Sequence, residues 1–323
     1  MKTFYSLILL LFAGSVFAQS SSEKLPPMAD WFLATGDWQT DPQLYVREYG
    51  RMDQEPIIML HGGWGGNYVG MVESVKDLFD THHFVFYDQR GSLHSPCPDS
   101  LITYDHHIED LERLRKELKL DKLTLVGHSM GAILASAYAA RYPKHIQKLV
   151  LLAPPALKSK MSKEEALEIS VPQNDALQAF IERPAIKQEL EKYALNASGE
   201  PLSSREHTAI FRINFAKRML FDVSKWPALT GGRALYKGKV FSLTAASYPQ
   251  NGWDFISDFQ QQSYPIHVIV GDHDFLDFGN GLIKKWGQEV PGMELSVIKE
   301  AGHILWIDQP TIFTSELQKA LKD

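Results

Sequence analysis

The sequence contains only one cysteine, Cys97, so the chain cannot form an intrachain disulfide. It also lacks a basic excess, because 33 lysines and arginines stand against 39 aspartates and glutamates, for a formal net charge of -6. Without a basic surface, neither a nucleic acid nor an anionic membrane is an expected partner. A chain of 323 residues can fold as one elaborated domain held by its core alone. We therefore expect a small molecule or a short peptide as the partner.

Long apolar runs are also missing, apart from one at the amino terminus. Lys2, the apolar run Tyr5–Phe12 and the small residues in Val16-Phe17-Ala18 have the pattern of a secretory signal peptide. The run is shorter than the roughly 20 residues that a spanning helix needs, so an uncleaved membrane anchor is the weaker alternative. We predict a signal peptide over residues 1–18 and an exported, periplasmic or secreted chain that begins at Gln19, without stable membrane insertion.

Short runs of valine, isoleucine and leucine alternate with helical patterns over most of the chain. Such runs are typical of buried strands in a parallel sheet with helices on both faces. The alternation stops in the middle of the chain, where charged amphipathic helices replace the strands, and it resumes at Pro265. The pattern predicts an α/β protein with a mostly parallel sheet. Residues 19–154 and 250–323 form its core, and residues 155–249 form an inserted helical cap.

The residues Leu123–Ala132 combine an apolar strand pattern, Gly-x-Ser-x-Gly and the small residues that begin a helix. This combination is typical of a nucleophile elbow, in which a serine lies on a strained turn between strand and helix. Gly127 and Gly131 fit this turn, because a Cβ there would collide with neighbouring backbone. Ser129 is therefore the predicted nucleophile, with a helix amino terminus beneath it that stabilises negative charge.

A serine nucleophile needs a base that removes its proton and an acid that orients the base. His303 follows the last predicted strand and Asp274 follows the one before it, so both can lie over the carboxyl edge of the sheet. The order Ser129, Asp274, His303 is that of the α/β-hydrolases. Asp272 is an alternative acid, but a residue a short turn beyond the strand folds back more readily, which favours Asp274.

The glycine-rich run His61–Gly66 follows another predicted strand. Its glycines let the backbone approach a ligand closely, so we expect the amides of Gly63 and Met130 to form an oxyanion hole. Trp64 belongs to this loop and is expected to contact substrate. A phosphate-binding loop is the alternative. It would need a lysine followed by serine or threonine, or a Gly-x-Gly-x-x-Gly fingerprint, and the run has neither.

The remaining histidines and aspartates do not indicate a metal site. His82-His83 and His106-His107 are adjacent pairs, which cannot share one face of a strand or helix. Asp272-His273-Asp274 with His303 could mimic a metal cluster, but the order of nucleophile, acid and base accounts for these residues more fully. We expect no metal and no other cofactor.

Taken together, these motifs resemble the capped α/β-hydrolases, specifically the proline iminopeptidase-like serine peptidases. The resemblance rests on the elbow, on His61–Gly66, on Tyr87-Asp88-Gln89-Arg90-Gly91 and on the loops of Asp274 and His303. The chain departs from the family in two places. The elbow is Gly-His-Ser-Met-Gly, as in many esterases, and a serine follows Gly91 where a second glycine is usual in the family.

The resemblance implies hydrolysis through an acyl-enzyme, acting on short peptides or aminoacyl amides with a free amino terminus. A cap carboxylate would then bind the substrate ammonium. An esterase of small acyl substrates is the alternative, and a non-catalytic binding protein that keeps the fold is a more remote one. The glutamates available in the cap are Glu164, Glu165, Glu168, Glu182, Glu189, Glu191, Glu200 and Glu206.

Overall fold

The computed structural model describes residues 29–193 and 202–322. The predicted signal peptide and its cleavage site lie outside the described residues, as does Glu200. The strands are β1 Asp30–Ala34, β2 Gln43–Gly50, β3 Pro56–Leu60, β4 His83–Tyr87, β5 Leu123–His128, β6 Ile146–Leu152, β7 Ile266–Gly271 and β8 Met293–Ile298.

These strands form an 8-stranded sheet in the order β1-β2-β4-β3-β5-β6-β7-β8. β2 pairs antiparallel with both β1 and β4, whereas every pair from β4 through β3 to β8 is parallel. The predicted α/β architecture with a mostly parallel sheet is therefore confirmed. β1 was not predicted. It is a short edge strand whose sequence, Asp-Trp-Phe-Leu-Ala, does not alternate clearly between polar and apolar residues.

The α-helices of the described chain flank the sheet or lie between β6 and β7. They are α1 Val69–Val75, α2 Tyr104–Glu117, α3 Met130–Arg141, α4 Lys163–Glu165, α5 Val171–Ile181, α6 Pro184–Lys192, α7 Ser204–Met219, α8 Gly238–Ala246, α9 Phe255–Phe259, α10 Gly281–Glu289, α11 Leu305–Asp308 and α12 Pro310–Leu321. No helix among the described residues is long and apolar enough to cross a lipid bilayer.

Successive residues of the central strands bury themselves on opposite faces of the sheet. In β4, Val85 and Tyr87 join the core beneath α2, α3, α9 and α10, whereas Phe84 and Phe86 join the core beneath α1 and α12. A strand that is buried on both faces has no polar side, which is why these strands are continuously apolar in sequence. The sheet is thus fixed in place, and its carboxyl edge is a rigid support for loops.

The helices α4 to α8 follow β6 and precede β7. Ser162 and Ser203 each begin a helix with a capping box, in which the serine side chain accepts from the backbone of Glu165 or Glu206 and that glutamate bonds back. The segments by which the chain leaves and re-enters the sheet domain lie side by side, because the backbones of Lys158 and Asp254 form an isolated antiparallel β-bridge. The cap boundaries predicted from sequence remain a prediction.

One buried histidine connects this helical region to the sheet domain. His107 of α2 is 1% exposed, stacks on Trp64 at 4.6 Å between ring centroids, and its Nε2 lies 3.1 Å from Thr244 Oγ1 on α8. Its Nδ1 has no partner among the described residues. Burial lowers the pKa of His107 to about 3, so the imidazole is neutral in the folded protein at physiological pH.

We expect His107 to make the fold sensitive to acid. In the unfolded chain its pKa is near the ordinary value of 6.5, so the unfolded state binds a proton first as pH falls. The stability is complete above about pH 6.5 and is lost progressively towards about pH 3. Between pH 7.5 and pH 5.5 this loss is about 1.4 kcal/mol for one such histidine.

His107→Phe keeps a ring against Trp64 but cannot be protonated, so its free energy of unfolding should fall less between the two pH values than that of the wild type. Urea denaturation at pH 7.5 and pH 5.5 measures this difference. Comparing each protein with itself cancels the packing change. Equal losses in the two proteins would contradict the assignment.

Candidate active site

Ser129 lies on a strained turn between β5 and α3. Its backbone has φ 54° and ψ -123°, a conformation that residues with a Cβ seldom adopt. A Cβ on Gly127 would lie 2.4 Å from the Gly131 oxygen, and a Cβ on Gly131 would lie 2.2 Å from the Leu60 oxygen. Both glycines of the predicted elbow are therefore required by close backbone approach, and the turn presents Ser129 partly exposed.

Asp274 and His303 come together over the same edge of the sheet. Asp274 follows β7 and His303 follows β8, and His303 Nδ1 lies 3.1 and 3.0 Å from the two carboxylate oxygens of Asp274. Both residues are buried, with exposures of 2% and 4%. A carboxylate only accepts hydrogen bonds, so Nδ1 carries the proton and Nε2 has a free lone pair.

The His303 ring lies beside the elbow. Its centroid is 4.7 Å from that of His128, the residue before Ser129, and His128 Nε2 lies 3.0 Å from the His303 carbonyl oxygen. The Ser129 hydroxyl makes no hydrogen bond to the described residues. Hydrogen bonds between a nucleophile and its base are often long or unmade before substrate binds.

Asp272, the alternative acid, has other partners. Its carboxylate lies 2.6 Å from His273 Nδ1 and 3.6 Å from Lys299 Nζ, and it accepts a long bond of 3.4 Å from the Ala301 amide. Among the described residues, the carboxylate within hydrogen-bonding distance of the His303 ring is that of Asp274.

The glycine-rich loop passes directly against the elbow. A Cβ on Gly62 would lie 2.9 Å from Ser129 Cβ. Gly63 has φ 54°, which turns the loop, and neither its amide nor that of Met130 donates a hydrogen bond to another described residue. Two unpaired N–H groups next to a serine are a suitable pair of donors for a negatively charged oxygen.

Gln89 positions the glycine-rich loop through two hydrogen bonds to His61. Its amide N–H donates to His61 Nε2 at 3.0 Å, and its side-chain amide donates to the His61 carbonyl at 2.9 Å. Burial lowers the pKa of His61, so the ring remains neutral and can accept this bond. The sequence indicated this motif only through the family resemblance, and the structure gives its physical reason.

The residues on either side of Gln89, Asp88 and Arg90, are held by buried partners of their own. The Asp88 carboxylate is fully buried and accepts from the backbone N–H groups of Tyr68 at 2.8 Å and His94 at 3.0 Å. Arg90 forms a bidentate ion pair with Asp110, in which Nε and Nη2 each donate to one carboxylate oxygen at 2.6 Å. Both partners are buried, so the pair orients the chain well but would be costly to break.

Trp64 differs from its expected role in substrate binding. Its side chain has no exposed surface, stacks on His107 and donates from Nε1 to Tyr248 Oη at 2.6 Å. The indole supports the loop from within the core and is not available to a substrate in this structure. Tyr236 lies closer to the loop surface, since its Cε2 would be 3.3 Å from a Cβ on Gly63.

His128 is a site residue that the sequence did not single out. It is 8% exposed, and burial lowers its pKa to about 3. The neutral ring must donate from Nε2 to the His303 carbonyl, because a carbonyl only accepts. The signal was the Gly-His-Ser-Met-Gly sequence itself, but the partner is 175 residues away in the chain and no local pattern points to it.

The buried cap glutamates already have structural partners. Glu165 accepts from Trp286 Nε1 at 3.0 Å, and Glu189 accepts from Trp226 Nε1 at 2.9 Å. Across residues 29–193 and 202–322, no group of three or more histidines, cysteines, aspartates and glutamates is arranged to hold a metal ion. The remaining described cap glutamates are at least partly exposed: Glu164, Glu168, Glu182, Glu191 and Glu206.

The model of the alpha/beta hydrolase fold family matches residues 55–310 of this chain. This is most of the chain, and it contains the elbow, the glycine-rich loop and the Asp274 and His303 loops. The chain belongs to the alpha/beta hydrolase fold family and is a hydrolase. The predicted resemblance to capped α/β-hydrolases of proline iminopeptidase-like type is confirmed at that level.

Curated relatives differ in what they do. A cis-3-alkyl-4-alkyloxetan-2-one decarboxylase of Shewanella oneidensis is 27% identical over 272 residues, which cover 79% of this chain and 78% of the relative. A proline iminopeptidase of Lactobacillus delbrueckii subsp. lactis is 34% identical over 128 residues, which cover 37% of this chain and 42% of the relative.

Among solved structures, an esterase from Exiguobacterium antarcticum has a TM-score of 0.60 and 19% identity. The match covers 92% of this chain and 100% of the esterase chain. At that identity the likeness shows the shared fold.

The close packing of the elbow leads to a stability prediction. Gly131→Ala places a methyl group against the Leu60 carbonyl oxygen and should lower the free energy of unfolding by about 1–3 kcal/mol or more. Gly70→Ala in α1 is the matched control, because a Cβ there meets no atom within 4 Å. It should raise the stability by about 0.5–1 kcal/mol. Urea denaturation of both variants checks the pair, and equal effects would contradict the packing argument.

Proposed function

We propose that this hydrolase acts through an acyl-enzyme formed on Ser129, with His303 as general base and Asp274 as the acid that orients it. The observation that carries the proposal is the buried His303–Asp274 pair beside a serine on a positive-φ turn. The amides of Gly63 and Met130 are the proposed oxyanion hole. This set contains every group that acyl transfer by serine requires.

The proposed reaction begins when His303 Nε2 takes the proton of the Ser129 hydroxyl. The serine oxygen then attacks the substrate carbonyl, and the two amides stabilise the negative oxygen of the tetrahedral intermediate. His303 gives the proton to the leaving group, which departs and leaves the acyl-serine. Water then repeats the sequence, with His303 accepting its proton, and releases the acid and the free serine.

For the substrate, we propose small esters. A decarboxylase relative, matched over 78% of its length, acts on an oxetan-2-one, which is a four-membered cyclic ester. An ester needs no charged partner in the cap, and the buried cap glutamates Glu165 and Glu189 already bond to tryptophans. The remaining described cap glutamates are partly or fully exposed, where an ion pair contributes little free energy.

An aminopeptidase is the second candidate. The local similarity to proline iminopeptidases favours it, but the matched region covers less than half of the relative's length. A free amino terminus in the site requires a desolvated carboxylate, and the exposed glutamates would have to close over the substrate to provide one.

The roles of the three residues lead to a direct prediction. A fluorophosphonate probe should label the wild-type protein, and Ser129→Ala should abolish both labelling and hydrolysis. Asp274→Asn should leave the fold intact but favour the wrong tautomer of His303. It should lower kcat by about 10⁴-fold, or roughly 5 kcal/mol of barrier. Steady-state kinetics on a chromogenic ester measures this change.

Asp272→Asn is the matched control, since this carboxylate is two residues away and bonds to His273 instead. Its kcat should fall far less. A reversed order of the two effects would overturn the choice of acid but not of nucleophile. A folded wild type that the probe does not label would instead favour a non-catalytic binding protein.

Blocking of the substrate amine distinguishes the two substrate classes. If the ester proposal holds, N-acetylation of an aminoacyl ester should change kcat/KM little, because no cap carboxylate pairs with the ammonium. An aminopeptidase would lose several kcal/mol of binding, since its buried carboxylate would have no partner. Rates on matched free and blocked substrates decide this. Loss of turnover on blocking would overturn the ester proposal.

A further inference from the structure

The backbone of His303 is held by groups outside the catalytic residues. Its N–H donates to the Met219 carbonyl at 2.8 Å, at the end of α7 in the cap. His128 donates to its carbonyl from the other side at 3.0 Å. The position of the imidazole is therefore set in part by where the end of α7 lies.

Asp308 connects the same two segments. Its side chain is 2% exposed, and Oδ2 accepts from the amide of Gly302 at 2.8 Å and from the amide of Phe221 at 2.8 Å. Its Oδ1 accepts from the amide of Asp222 at 3.2 Å. One buried carboxylate thus bonds to Gly302, which precedes His303, and to Phe221 and Asp222, which lie just beyond the end of α7.

Further contacts strengthen this junction. Lys225 Nζ donates to the Asp308 carbonyl at 2.6 Å. The small apolar core of the cap, which contains Ile213 and Leu220, packs against Ile304 and Ile307 beside the histidine. Hydrogen bonds from three amides to one charged group are stronger than neutral ones and fix its geometry. These contacts join the cap and the histidine loop at one junction.

We propose that Asp308 is a positioning residue that couples the docking of the cap to the orientation of His303. This inference rests on the proposed role of His303 as the base. Without the carboxylate, the amides of Gly302 and Phe221 lose their shared acceptor, and the histidine loop relaxes away from the elbow. A displacement of about 1 Å in a reacting group can cost about 10²-fold in rate.

The test is Asp308→Asn and Asp308→Ala, assayed with active-site titration. Asparagine keeps one acceptor oxygen and places an NH₂ group against an amide donor, whereas alanine removes all three bonds. We expect kcat per titrated site to fall about 10-fold for Asn and about 100-fold for Ala, with KM changed less. Dividing by the titrated sites separates misplacement of the base from a smaller folded fraction.

Asp222→Asn is the matched control. Its side chain bonds to Ser224 within the same cap segment and does not contact Gly302. Its kcat should remain within about twofold of the wild type, as is usual for a substitution away from a buried network. The proposal is overturned if folded Asp308→Asn and Asp308→Ala keep wild-type kcat per site, or if Asp222→Asn loses as much.

Hydrogen exchange of the wild-type protein tests the coupling even if the Asp308 variants do not fold. The amides of Phe221 and Asp222 should exchange at the same opening rate as that of Gly302. Independent exchange of the two segments would overturn the proposal. The proposed function is tested separately, since it requires that Ser129→Ala abolish labelling whatever the effect of the Asp308 substitutions.

Discussion

The close approach of Gly131 to the Leu60 carbonyl is the constraint on which the site depends. It brings the start of α3 against the end of β3, and the turn between β5 and α3 becomes so tight that Ser129 must adopt a positive φ. The strain is maintained because β5 is paired on both sides within a buried sheet. A serine on a flexible loop would relax out of this conformation, and its hydroxyl would no longer have a fixed direction.

The groups that support the site are neutral or fully paired. His61 and His128 remain neutral because burial lowers the pKa of each ring, and the ring nitrogens of both bond to backbone groups. The charged supports Asp88, Arg90 and Asp308 all have hydrogen-bond partners inside the protein. The Asp274 carboxylate, which only accepts, therefore fixes the tautomer of His303 with the proton on Nδ1.

The sequence was sufficient for the sheet apart from β1, for the elbow and for the loops of Asp274 and His303, because each depends on a local pattern: an apolar run, a pair of glycines, or a polar residue after a strand. It was insufficient where contacts join distant segments. Trp64 belongs to a glycine-rich loop yet faces inward, because His107 on α2 offers a ring to stack against. Asp308 lies in a short helix with no distinguishing pattern, and its partners Phe221 and Asp222 are 87 and 86 residues away.

The cap has two physical tasks that compete for the same residues. It must be held to the sheet domain, and the carboxylates at this junction, Glu165 of α4 in the cap and Asp308 of α11 outside it, bond to donors of the protein itself. It must also select a substrate, which for a cationic group would require an unpaired carboxylate in a dry pocket at a cost of several kcal/mol before substrate binds. An uncharged acyl substrate avoids this cost, because the proposed oxyanion hole would bind its carbonyl through the neutral amides of Gly63 and Met130, and the substrate carries no charged group that needs a partner. The proposed preference for uncharged acyl substrates therefore follows from the buried carboxylates of Glu165 and Glu189, which already accept hydrogen bonds from tryptophans.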